Sequence, residues 1–158
     1  MEIWHAPLDL AILNAASEGT AMRHLGIEFT AFGPDWIEAT MPVDHRTMQP
    51  FKLLHGGMPV DHRTMQPFKL LHGGASVLLA ETLGSMAANA CLDNRRHVSV
   101  GQEINANHVR GVRGGHVTGR ATPIHRGRSS QVWEIRIVDD GGKLCCISRI
   151  TMAVIDAL

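Results

Sequence analysis

GGASVLLAETLGSMAANACL, residues 73–92, contains one charged side chain, Glu81. Ala, Leu and Met dominate it, and Leu78, Leu79, Leu83, Met86 and Ala90 recur at helical spacing, which predicts a long helix over about 74–91. A carboxylate amid so many apolar neighbours is costly to bury unless something pairs with it or uses it. His72-Gly73-Gly74 stands at the start of this helix, where the first backbone N–H groups have no intrahelical acceptor. Those donors and the positive end of the helix dipole suit a carbonyl oxygen that gains charge during reaction. A polarising helix start with an isolated acid farther along points towards acyl chemistry.

The flanking sequence predicts strands. Residues 25–33 and 35–43 read as two, joined at Gly33-Pro34, and 97–109, 115–124, 131–139 and 143–155 as four more. Trp133, Ile135 and Ile137 alternate with Glu134, Arg136 and Val138, the pattern of a half-buried strand. Asp139-Asp140-Gly141-Gly142 then forms a hairpin turn. Leu8–Glu18 reads as a short helix with Leu10, Leu13 and Ala16 on one side and Gly19 as its stop. One long apolar helix among antiparallel strands implies an α+β fold, its sheet curled around the helix.

The chain also contains a perfect tandem repeat. MPVDHRTMQPFKLLHGG fills 41–57 and recurs unchanged at 58–74. Two copies do not make a solenoid. The 158 residues therefore read as one domain carrying a 17-residue duplication. Only His72-Gly73-Gly74 opens onto the helix, whereas His55-Gly56-Gly57 leads into Met58-Pro59, so the second copy is the one expected to work. Met41-Pro42-Val43 must finish the strand begun at Trp36, so the surplus is expected to loop out within about 45–64. Lengthening a loop costs about 1 kcal/mol or less in closure entropy. Steric interference near the site is the larger concern, and a folded protein of weakened or altered activity is expected.

Composition narrows the function classes. Fifteen basic residues balance fifteen acidic ones, which argues against a general nucleic-acid binder. The arginines crowd between Arg95 and Arg128, which leaves open a local anion site or a set of solvated turns. Cys91, Cys145 and Cys146 do not make a disulfide framework, and adjacent cysteines in a strand point to opposite faces. A reducing cytoplasm fits best. The N-terminus lacks the basic region of a signal peptide, and Glu81 interrupts the only candidate membrane span. No HxH, HExxH or CxxC spacing suggests a metal, and no GxSxG elbow suggests a serine hydrolase.

QPFKLLHGGASVLLAETLGS at 66–85, EINANHVR at 103–110 and PIHRGRSSQVWEI at 123–135 together resemble the hotdog-fold acyl-CoA thioesterases. Within them the chain is similar to the bacterial 1,4-dihydroxy-2-naphthoyl-CoA thioesterases and the proofreading thioesterase of enterobactin synthesis. The resemblance implies that Glu81 is the catalytic carboxylate, as nucleophile or as general base towards water. Gly73 would then donate its N–H to the thioester oxygen, with Gln66 and His72 positioning the thioester and Ser85 beside the hydrolytic site. It also implies that His108 lies near the acyl group and the pantetheine arm, with Arg110, Arg128 and Ser129 on the coenzyme A surface. Met86, beside Ser85, is a candidate for the acyl entrance. Thioester cleavage by a carboxylate needs no metal or cofactor.

Spacing adds one constraint of its own. Gly73 and Glu81 are eight residues apart, about 12 Å along a helix. Both groups must lie within about 3 Å of one thioester. One helix cannot provide both, whereas two antiparallel helices side by side can, so a two-fold dimer with shared sites is expected. The family implies the same dimer, often paired into tetramers. The expected substrate is an acyl or aryl thioester of coenzyme A or of a carrier protein. The alternative is a hotdog protein that binds such groups without hydrolysing them.

Overall fold

The computed structural model describes residues 2–44, 46, 48–52 and 65–157, with 48–52 and 65–69 as backbone only. Its main sheet has six strands in the order β1-β2-β6-β7-β8-β5, every neighbouring pair antiparallel. They are β1 (Glu28–Phe32), β2 (Ile37–Pro42), β5 (His97–His108), β6 (His116–Arg126), β7 (Ser130–Asp139) and β8 (Leu144–Asp156). A second, two-stranded sheet joins β3 (Met48–Lys52) to β4 (Met65–Leu71). Three helices are present among the described residues: α1 (Leu10–Ala15), α2 (Ala21–Leu25) and α3 (Gly73–Ala90).

The curled sheet packs on α3. Trp133, Ile135 and Ile137 of β7 and Ile150 and Met152 of β8 are fully buried, as are Leu79 and Leu83 of the helix. Each such side chain contributes about 1.5–3 kcal/mol of burial. Two glycines set how closely the layers approach. A Cβ on Gly84 would stand 2.4 Å from Ile150 Cγ2, and one on Gly119 would stand 2.6 Å from Leu83 Cδ1. The helix is not covered all round, however. Leu78, Glu81, Ser85, Met86 and Ala90 form a half-buried strip away from the densest packing.

Two of the expected elements change. The first helix is shorter than 8–18: Asp9 caps it through a 2.7 Å bond from the Ala11 N–H, and it ends at Ala15. Ala16 is exposed, and Ser17 turns inward instead. The strand expected from residue 25 begins at Glu28, because Ala21–Leu25 form α2 and Gly26 ends it at φ +68°. A five-residue helix gives too little periodicity to be read from sequence.

The repeat departs from a plain loop. Asp44 and Arg46 follow β2 directly, with Asp44 Oδ2 accepting from Arg46 at 2.6 Å. Residues 65–71 lead directly into α3. Within the stretch expected to loop out, residues 48–52 pair antiparallel with β4, Met48 opposite Leu71 and Lys52 opposite Met65. Each strand of that pair begins MQPFK, one from each copy. Gln49 sits on β3, whereas His55-Gly56-Gly57 lies outside the described residues.

Candidate active site

The start of α3 forms one half of the site. His72 caps the helix, its Nδ1 accepting from the Gly74 N–H at 2.9 Å, and its carbonyl accepts from Ala75 and Ser76. Among the described residues, the first four N–H groups of α3 are thus all satisfied except that of Gly73. An unpaired helix N-terminal donor is poised for an acceptor from outside the chain. Gly73 packs on the end of β5, where a Cβ would stand 3.0 Å from His108 Nε2. Gly73, Ser76, His108 and Arg110 line one cavity of about 330 Å³, with Leu70 and Cys145. Gln66 lies on β4, opposite Phe51, its side chain outside the described part.

Glu81 forms the other half. Its Oε1 accepts a 3.2 Å bond from Ser85 Oγ, one turn along the helix. The carboxylate lies over Gly101 of β5, where a Cβ would stand 2.6 Å from Oε1. Glu81, Ser85 and Met86 line a separate cavity of about 450 Å³ with Met22, Thr82 and Asn89. Asn89 locks strand to helix here. It donates to the carbonyls of Ser85 (3.0 Å) and Ser99 (2.9 Å), and its Oδ1 accepts from the Ser99 N–H at 2.8 Å.

Strand β5 therefore carries both halves, seven residues apart. At about 3.3 Å per residue they are some 20 Å from each other along the strand. Both face the helix because of a β-bulge between Gly101 and Glu103. Ile104, Ala106 and His108 point inward by simple alternation, and the extra residue turns Gly101 inward as well.

Arg128 and Ser129 line neither cavity. They occupy the exposed turn between β6 and β7, where the Ser129 carbonyl accepts from Val154 N–H at 3.0 Å. The crowd of arginines is dispersed by the fold. Arg95 pairs with Asp93, Arg120 pairs with Glu38 while stacking on Trp36, and Arg126 bonds the Ile3 carbonyl. Burial pushes the thiols of Cys91, Cys145 and Cys146 up from their usual range, which keeps them protonated at neutral pH. Among the described residues no cluster of three His, Cys, Asp or Glu is placed to hold a metal, and no helix is long and apolar enough to cross a membrane. Sequence reasoning missed Asn89 and Gly101. An Asn in an otherwise apolar helix was a signal for the first, but nothing local marked the second.

A curled antiparallel sheet packed on one long central helix is the hotdog fold. The chain belongs to the thioesterase superfamily, whose sequence pattern matches residues 68–146. It is 47% identical over 153 residues to the 1,4-dihydroxy-2-naphthoyl-CoA hydrolase of Escherichia coli strain K12, covering 97% of this chain and 99% of that protein. It is 49% identical over 152 residues to the proofreading thioesterase EntH of Cronobacter turicensis, covering 96% and 98%. The crystal structure of a thioesterase from Haemophilus influenzae superposes with a TM-score of 0.85 at 51% identity, over 99% of this chain and 96% of that one.

Proposed function

We propose that this thioesterase hydrolyses an acyl or aryl thioester of coenzyme A, or of a carrier protein, with Glu81 as the reacting carboxylate and the Gly73 N–H as the carbonyl donor. Either Glu81 attacks the thioester carbon, the thiolate leaves and water then cleaves the resulting anhydride to free the acid and the carboxylate, or Glu81 takes a proton from water as it attacks the carbon and passes that proton to the leaving thiolate. Ser85 holds the carboxylate, His72 fixes the helix start, and His108 and Arg110 face the thioester and its carrier arm. Gln66 positions the thioester. Arg128 and Ser129, on their exposed turn, are left for the outer part of the carrier. The hydrolase names of the relatives favour this reading over binding without turnover.

One observation carries the assembly of the site: its two halves are anchored seven residues apart on β5. A single copy cannot close on one thioester, so the site is completed across a dimer. Strand β5 is an edge strand of twelve residues bonded only to β8 among the described strands, an edge that soluble proteins cover or blunt. Antiparallel pairing of β5 with its copy about a two-fold axis at Asn105 sets Gly101 of one strand opposite His108 of the other, once the bulge is counted. That register brings Glu81 of one copy to Gly73 of the second.

The test is complementation. Glu81→Gln and Gly73→Pro chains, each inactive alone, are mixed, unfolded and refolded together. Half of the resulting dimers are mixed, and each of these has one intact site of two. Thiol release recovers to about a quarter of the wild-type rate. No recovery, with mixed dimers present by mass, refutes the shared site.

A further inference from the structure

A neighbour adjoins the cavity at Glu81. Met86 and Asn89 also line a second cavity of about 370 Å³, which passes under the N-terminal arm. Asn89 lies about 12 Å along the helix from Glu81. The second cavity is bounded by Pro7, Leu8 and Leu13 on the arm side and by Ala90 and Leu92 on the other. The two cavities follow one another along the same strip of α3, beginning at the carboxylate.

The arm that roofs the second cavity is held firmly. Trp4 is buried, stacks on Trp133 at 6.4 Å between ring centroids, and donates from Nε1 to the Gly33 carbonyl at 2.7 Å. The next residue, His5, donates its N–H to the Ala90 carbonyl at 2.8 Å. Residues 6–8 thus leave an anchored point directly over the end of α3. The far end is polar: His5 Nε2 lies 3.9 Å from Asp93 Oδ1, and Arg95 binds the same carboxylate at 3.0 Å. This pairing holds the Asp93 carboxyl below its usual range, with the Arg95 hydrogen bond as the main cause. A hydrocarbon chain reaching it would have to desolvate an ion pair.

We propose that the acyl chain runs from Glu81 past Met86 into this second cavity, so that the N-terminal arm selects acyl length and the Asp93–Arg95 pair sets its upper limit. The inference rests on Glu81 being the reacting carboxylate. It predicts an enzyme that takes extended medium-chain acyl groups, not only compact aryl groups that fill the first cavity alone.

Non-hydrolysable S-alkyl thioethers of coenzyme A test it by calorimetry on the full chain. Affinity is expected to rise with chain length by up to about fourfold per buried methylene, and to level off once the chain reaches Asp93. Ala90→Phe fills the second cavity from the helix. Ala6→Trp fills it from the arm, at an exposed position that spares the core. In both, the S-ethyl compound binds within twofold of wild type, whereas the S-octyl compound loses tenfold or more. A wild-type affinity that does not rise with chain length overturns the proposal, as does S-octyl binding unmoved in Ala6→Trp. Failure of the catalytic reading looks different: the length dependence persists while Glu81→Gln releases thiol from octanoyl-CoA as fast as wild type.

Discussion

Gly73→Pro removes one hydrogen and little else. The first helical position suits proline, because its N–H has no intrahelical acceptor and its φ is already helical. His72, which precedes it, has φ −70° and ψ 131°, an extended conformation compatible with a following proline. The helix should therefore form as before. The new ring does meet His108, since a Cβ at 73 stands 3.0 Å from Nε2 and requires a shift of a few tenths of an ångström. Gly73→Ala introduces the same Cβ but keeps the donor, so the ratio of the two variants isolates the N–H. Loss of one such donor costs about 10²–10³ in kcat, or about 2.7–4 kcal/mol of transition-state stabilisation. The assay is thiol release from acyl-CoA under saturating substrate, with thermal unfolding as the control for folding. The expected result is Gly73→Ala within about tenfold of wild type and Gly73→Pro at least a further hundredfold slower. Equal rates for the two variants would refute the reasoning, since the donor would then have no part in the reaction.

Gly101→Ala tests the other half. Its Cβ would stand 2.6 Å from Glu81 Oε1, against 3.4 Å or more in ordinary contact, so the carboxylate must yield about 0.8 Å. A misplacement of about 1 Å costs on the order of 10² in rate, so kcat should fall by about that factor with the fold retained. Gly114→Ala, with open space around it, should leave kcat within twofold; comparable kcat values for the two variants would count against Glu81. Removing any 17 consecutive residues within 41–74 yields the same shortened chain, and it should fold with stability within about 1 kcal/mol and turn over faster. Unchanged kcat/KM would mean that the surplus β3 does not obstruct the site.

Much of the fold was legible because the signals were long. The 18-residue helix and strands β5–β8, of 10–13 residues each, give enough periods for the apolar pattern to be unambiguous, and their observed limits lie within two residues of those expected. Helix α2 and the β3–β4 pair were not legible. The first is five residues long. The second pairs a segment of one copy with a segment of the other, in a register with a shift between Gln49 and Phe51 that no local pattern marks. At the site, Glu81 stood out as the single charge in an apolar helix. Gly101 did not, because its importance comes from a bulge that turns it towards Glu81.

By itself, the sequence determined the frame: an acid eight residues beyond a helix start, in a helix apolar enough to be central. Local pattern suffices for this, because periodicity and composition act over a few neighbouring residues. Only the tertiary structure decided where Gly73 and Glu81 sit. It placed Gly73 on His108 and Glu81 on Gly101, and set a second cavity, roofed by residues from the N-terminal arm, beside the one at the carboxylate. Contacts between residues far apart in the chain depend on strand register, a bulge and close packing at glycines, which only the whole folded sheet can fix.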